Sequence, residues 1–288
     1  MPVCKIHGEL PNDKFYWNKK GVPGSYCIDC MKSFSKKRYS KLKKKASDTN
    51  PIGKELNKES SGEVVLVIGD LHEPFTHNGY FPFVKWVKEM FQPTKTIFIG
   101  DVVDNHAISY HESDPDGLSA GHELEATKLR LQKWYKEYPD ATITIGNHDN
   151  LVSRKGITNG IPKFMIKDFP EIWNSPRGWS WVHSVMIDNV QYTHKGGGGV
   201  FPARMAATHN MTSFVCGHSH TAGGVVTMES INNKRIFAAQ TGCGMDDETY
   251  ASAYAKDVIK KSALGCLVVI GGTQPIYIDM PDRFRAMK

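Results

Sequence analysis

Val64-Val65-Leu66-Val67-Ile68-Gly69-Asp70-Leu71-His72 opens with five apolar residues, four of them β-branched, and closes on a glycine followed by a carboxylate and an imidazole. A run that is apolar at every position rather than at alternate ones reads as a strand covered on both faces. The pattern recurs twice: Thr96–Ile99 precedes Gly100-Asp101, and Ala141–Ile145 precedes Gly146-Asn147-His148-Asp149. Between these runs, Tyr80–Phe91 sets Phe83, Val84, Val87 and Met90 at helical spacing, and Glu123–Tyr138 does the same with Leu124, Leu129, Leu131 and Trp134. Strand, helix, strand implies α/β crossover units whose polar clusters sit at the carboxyl ends of the strands, where open sheets bind ligands. Later runs are strand-rich: Val185–Ile187 and Val190–Thr193 around an Asp188-Asn189 turn, then Ser213–Cys216, Arg235–Ala239, Leu264–Ile270 and Ile276–Ile278. His194 follows one of them and Gly217-His218-Ser219-His220 another.

These clusters combine carboxylate, amide and imidazole donors, a set suited to Mn, Fe or Zn more than to Ca or Mg. Two such ions held close together bind the non-bridging oxygens of a phosphate and generate hydroxide near neutral pH. Each cluster alone would read as a surface turn or a hydrogen-bonded histidine; their order along the chain gives them meaning.

That order, D-x-H, G-D-x-x-D, G-N-H-D, a single His and G-H-x-H, resembles the calcineurin-like metallophosphoesterase superfamily over roughly residues 64–275. The resemblance implies a four-layer α/β/β/α sandwich and two divalent metal ions (Mn, Fe or Zn). Asp70, His72 and His220 would hold one ion, Asn147, His194 and His218 the other, with Asp101 bridging. His148 would protonate the leaving oxygen, and Asp104 and Asp149 would orient imidazoles. Hydrolysis would proceed by in-line attack of a metal-bound hydroxide. His106, His111 and Arg154 are possible substrate contacts, though solvated loop positions or a surface salt bridge explain them as well.

The first sixty residues differ in character. They hold 14 basic against 6 acidic residues, a net of +8, whereas the remainder holds 22 against 24; the overall +6 belongs to the N-terminal part. Cys4-x-x-His7, nineteen residues, then Cys27-x-x-Cys30 has the spacing of a structural zinc site, with Phe15, Tyr16 and Trp17 available for a small cluster. It resembles the zinc ribbons beside phage endonucleases, which suggests a phage-type protein. Lys36, Lys37, Arg38, Lys41, Lys43, Lys44 and Lys45 follow, with aromatic and aliphatic residues between them, as in a nucleic-acid-contacting tail or a solvated linker. The expected division is a zinc-ribbon-like module with basic tail over 1–45, a linker over 46–62 and the phosphoesterase domain over 63–288.

With 40% hydrophobic and 23% charged residues the chain has an ordinary globular balance. No apolar run is long enough to span a membrane, and the N-terminus lacks the regions of a signal peptide. Cys216, Cys243 and Cys266 stand singly in apolar runs, as buried thiols of a cytoplasmic protein do. The resemblance implies a divalent-metal-dependent phosphoesterase, and the basic zinc-like module favours a phosphodiesterase acting on nucleic acid or nucleotides. The alternatives are a phosphomonoesterase on phosphoprotein or a small molecule, and a nucleic-acid-binding adaptor with a vestigial site. Oligomeric state is not readable.

Overall fold

The computed structural model describes residues 1–15, 22–33, 62–110, 114, 116–230, 234–249 and 261–287. Tyr16, Trp17, His111 and the basic run Lys36–Lys45 lie outside the described residues. The chain divides into two compact units, Met1–Gly53 and Lys54–Lys288.

In the first unit, β1 (Val3–Cys4) pairs antiparallel with β2 (Gly8–Glu9), and Gly8 takes the left-handed φ that the tight turn needs. The buried cluster is Cys4, Phe15, Cys27 and Cys30, with Leu10 and Tyr26 packed against it. Among the described residues of this unit, three of the four buried members are cysteines.

The second unit is layered. Its first sheet has the order β13-β12-β3-β4-β5-β6, formed by β3 (Val64–Ile68), β4 (Lys95–Phe98), β5 (Ala141–Thr144), β6 (Trp179–Val182), β12 (Gly265–Ile270) and β13 (Gln274–Asp279). Strands β3 to β6 run parallel, and β12 joins β3 antiparallel. The second sheet has the order β10-β11-β9-β8-β7, formed by β7 (Val185–Ile187), β8 (Val190–Tyr192), β9 (Ser213–Cys216), β10 (Gly223–Glu229) and β11 (Arg235–Thr241).

The period-two alternation of strands assigns the layers. Val65 and Val67 face an inter-sheet core with Ile97, Tyr192, Val215 and Phe237, while Val64, Leu66 and Ile68 face an outer core. That outer core is closed by α1 (Tyr80–Phe91) and α2 (Ala120–Glu137) through Phe83, Val84, Val87, Leu131 and Trp134. On the far side Phe214 and Cys216 meet Ala203, Ala206 and Ala207 of α5 (Pro202–Asn210). Helix, sheet, sheet, helix is thus the layer order of the second unit. Shorter α3 (Leu151–Thr158) and α4 (Phe169–Trp173) lie between β5 and β6 in sequence, and α6 (Asp282–Arg285) packs Phe284 into the outer core.

Leu129 corrects one expectation. It lies 75% exposed, because the buried stripe of α2 runs through Glu123, Thr127, Leu131, Trp134 and Tyr135, and position 129 falls on the opposite side. Asp188 and Asn189 both take left-handed φ, as the two-residue hairpin turn requires. The three single cysteines are buried and free. No described helix is long and apolar enough to cross a membrane.

Candidate metal centre

Every polar cluster follows the carboxyl end of a strand: Asp70 and His72 after β3, Asp101 after β4, Asn147 and His148 after β5, His194 after β8, and His218 and His220 after β9. The loops are knitted by main-chain bonds. The N–H groups of Leu71 and His72 both donate to Asp101 O, and Asp104 N–H donates to Glu73 O. Holding them costs backbone strain, since His72, Asp101, Asn105 and His218 all take left-handed φ. Close approach fixes the glycines: a Cβ at Gly146 would lie 2.1 Å from Asp101 Oδ1, and one at Gly217 would lie 2.2 Å from Asp70 Oδ1.

The ligand atoms converge. His220 Nε2 is 3.3 Å from Asp70 Oδ2 and 3.0 Å from His72 Nε2, which is itself 3.7 Å from Asp101 Oδ2. His194 Nε2 lies 3.1 Å from both Asp101 Oδ2 and Asn147 Oδ1. Asp70, His72, Asp101 and His220 form one group able to hold a metal ion, and Asp101, His194 and His218 another; Asp101 belongs to both.

Tautomers follow from acceptors that cannot donate. His194 Nδ1 faces Ile99 O at 2.9 Å and His148 Nδ1 faces Asp104 O at 2.6 Å, so each Nδ1 carries the proton and leaves Nε2 for the centre. Asp104 Oδ1 takes the Nδ1–H of His72 at 2.5 Å and frees its Nε2 likewise. Burial, chiefly, holds the imidazoles of His72 and His218 below their usual value, in the neutral form a ligand needs.

The donor set fits cations. Asp70 is wholly buried and its Oδ1 has no hydrogen-bond partner among the described residues. At His194 a ring lone pair meets two oxygen acceptors with no donor between them. Without a cation a proton fills that gap: burial would lower His194, but Asp101 and Asp70 outweigh it and hold the ring up at about 10.

Asp149 does not contact an imidazole. Its carboxylate accepts the N–H groups of Gly146 (2.8 Å) and Val103 (3.2 Å), so it clamps the loop after β5 to that after β4, and burial pushes it up to about 7. His106 is buried, 4.0 Å from Asp104 Oδ2, and offers little surface to a substrate. Arg154 lies over the ring of Tyr110, 5.3 Å from its centroid. A groove of about 640 Å³ lined by Asn105, Ile108, Leu124, Val152 and Ile172 contains none of the ligand residues; Asn105, in its wall, donates from Nδ2 to His148 O at 2.9 Å.

Two supporting residues escaped the sequence reading. Glu73, wholly buried directly after His72, is bound by Arg130 Nε (2.6 Å), Lys133 Nζ (3.0 Å) and Trp134 Nε1 (2.8 Å). Glu123 accepts the N–H groups of His106 and Ala107, each at 2.8 Å, and fixes the turn after Asp104. Their one-dimensional signal is a glutamate among others; their partners are 16 to 61 residues away.

In the N-terminal unit, Cys4 Sγ and Cys30 Sγ are 3.8 Å apart, and His7 Nδ1 lies 3.2 Å from Cys27 Sγ and 3.5 Å from Cys30 Sγ. Tetrahedral zinc with ordinary bond lengths needs edges of about 3.8 Å between sulfurs and about 3.5 Å between sulfur and nitrogen.

Among known proteins, the sequence pattern of the calcineurin-like phosphoesterases matches residues 64–222. No curated protein sequence matches the chain. It is similar to solved structures of vacuolar protein sorting 29 from Cryptosporidium parvum (12% identity, 77% of this chain and 93% of that one, TM-score 0.41) and Chaetomium thermophilum (13%, 77% and 100%, TM-score 0.38). A third is a conserved protein of Streptococcus pneumoniae, itself named a predicted phosphoesterase (9%, 76% and 98%, TM-score 0.30). With the pattern spanning more than half its length, the chain belongs to the calcineurin-like phosphoesterase family.

Proposed function

We propose that the chain is a binuclear-metal phosphodiesterase acting on nucleic acid or nucleotides. Family membership implies metal-dependent phosphoester hydrolysis. The observation that carries the binuclear reading is that Asp101 is shared by two ligand groups, one with Asp70, His72 and His220, the other with His194 and His218 beside Asn147. Two Mn, Fe or Zn ions bound there would neutralise the phosphate oxygens and lower the pKa of water.

The protein's own part is positioning. Asp104 fixes the His72 ring through Nδ1. His148, its Nδ1–H engaged by Asp104 O, presents Nε2 to the leaving oxygen and hands it a proton. Asp149 and Glu123 hold the two loops on which these side chains stand. With water as the nucleophile, attack is in line and a chiral phosphorus inverts; net retention contradicts this.

The Cys4, His7, Cys27 and Cys30 cluster is read as a structural zinc site, supported by its donor set and its edge lengths. Together with the basic run that follows, it favours nucleic acid over phosphoprotein.

The test is hydrolysis with added Mn of a bis-aryl phosphodiester, an aryl monoester, and single- and double-stranded DNA and RNA. Turnover of diester and nucleic acid, with two ions bound per active site, is expected. Turnover of the monoester alone points to a phosphatase. Tight nucleic-acid binding with no metal-dependent turnover points to an adaptor.

A further inference from the structure

The loop that leaves Asp104 carries an exposed aromatic ring flanked by cations. Asn105 is tied to His148 O, the turn His106–Ile108 follows, and Ser109 O accepts Lys155 Nζ at 2.8 Å. Tyr110 then emerges with Lys155 Nζ 4.8 Å and Arg154 5.3 Å from its ring centroid. Both cations sit on α3, which begins three residues after His148, so the patch lies about one to two helical turns from the acid. Despite both contacts Tyr110 remains 56% exposed.

A half-exposed tyrosine with two cations over its ring, on the loop that leaves Asp104, has the chemistry of a nucleotide-binding patch: a base against the part of the ring left open, phosphates on the cations. A paired base cannot stack there, because its faces are already occupied within the duplex.

We propose that an unpaired stretch of nucleic acid lies across the metal centre, with one base stacked on Tyr110 and the neighbouring phosphates on Arg154 and Lys155. The cleavage of that strand rests on the phosphodiesterase reading above; its binding does not.

The first test uses the full-length protein without divalent metal. A thiothymidine-containing oligothymidylate is irradiated with the protein and the adducts are mapped by mass spectrometry. An adduct at Tyr110, absent in Tyr110→Ala, is expected; adducts confined to the N-terminal unit and its basic run overturn the proposal. The second uses unlabelled oligothymidylate as inhibitor of Mn-dependent bis-aryl phosphodiester hydrolysis. Tyr110→Ala should raise its Ki, relative to the KM of the diester in the same enzyme, roughly ten- to hundredfold. Tyr110→Phe, which keeps the π-face, should restore it. An unchanged ratio in Tyr110→Ala overturns the platform. If wild type leaves the diester intact, the phosphodiesterase reading fails, and the crosslink still decides the strand.

Discussion

The Nδ1–H of His72 is held by Asp104 Oδ1 across 32 residues of sequence, and the carbonyl oxygen of the same aspartate holds Nδ1 of His148. One residue therefore orients both an imidazole of the proposed metal site and the proposed acid. Asp104→Asn should lower metal affinity or activity about 10- to 100-fold, because an amide holds the His72 ring less firmly and no longer raises its basicity. Metal titration followed by diester kinetics at saturating Mn separates the two losses. Unchanged affinity and rate would show that Asp104 is only packing.

His148→Ala should lower kcat about 10²- to 10⁴-fold on substrates with alkoxide leaving groups. The loss should shrink on aryl leaving groups of low pKa, which depart without a proton. A leaving-group series measures this directly, and an equal loss across the series would remove the acid role.

Gly146→Ala places a methyl 2.1 Å from Asp101 Oδ1 and 2.4 Å from Asp101 N, so the shared carboxylate or its loop must shift. The expected outcome is metal content well below that of wild type, read by elemental analysis after gel filtration. Wild-type occupancy would show that Asp101 moves without consequence.

Arg130→Met removes one of the two cations on the buried Glu73 carboxylate. Fully buried pairs lose 3–5 kcal/mol on such a change; with Lys133 remaining, and both cations about one-third exposed, about 2 kcal/mol is expected. Urea unfolding of wild type and variant gives the difference. Stability equal to wild type would mean that Lys133 and Trp134 suffice.

Cys27→Ser should reduce zinc content by one ion per chain and make the N-terminal unit sensitive to protease, since metal binding and folding are coupled in so small a cluster. Diester turnover at the centre provides the internal control. A protease-resistant variant would refute the structural role.

Much of this architecture is legible one residue at a time. Val64–Ile68 and Tyr80–Phe91 have the bounds that apolar continuity and helical spacing dictate, because both elements are buried along most of their length. The metal-site clusters are legible because each sits just past a strand that announces itself. What escapes is decided by partners far away. β10 (Gly223–Glu229) and β6 (Trp179–Val182) are edge strands with mixed exposure and no clean pattern. Leu129 looks like core until the polar Glu123 and Thr127 claim the buried side of α2. Glu73 and Glu123 become supports only when a helix supplies cations to one and a turn supplies N–H groups to the other. Asp149, in the most telling motif of the chain, binds main chain rather than histidine.

The centre draws Asp70, His72, Asp101 and Asn147 from the first sheet and His194, His218 and His220 from the second, with His72 and His220 separated by 148 residues. No short segment of the second unit therefore carries the full ligand set of this centre. Folding must bring the two sheets together before the ligands meet, at the slow end of contact formation where loop closure is largest. Ion uptake at the proposed centre would consequently be a clock for the last stage of assembly. Once captured, ions there would stabilise only the closed sandwich and lengthen its lifetime against reopening.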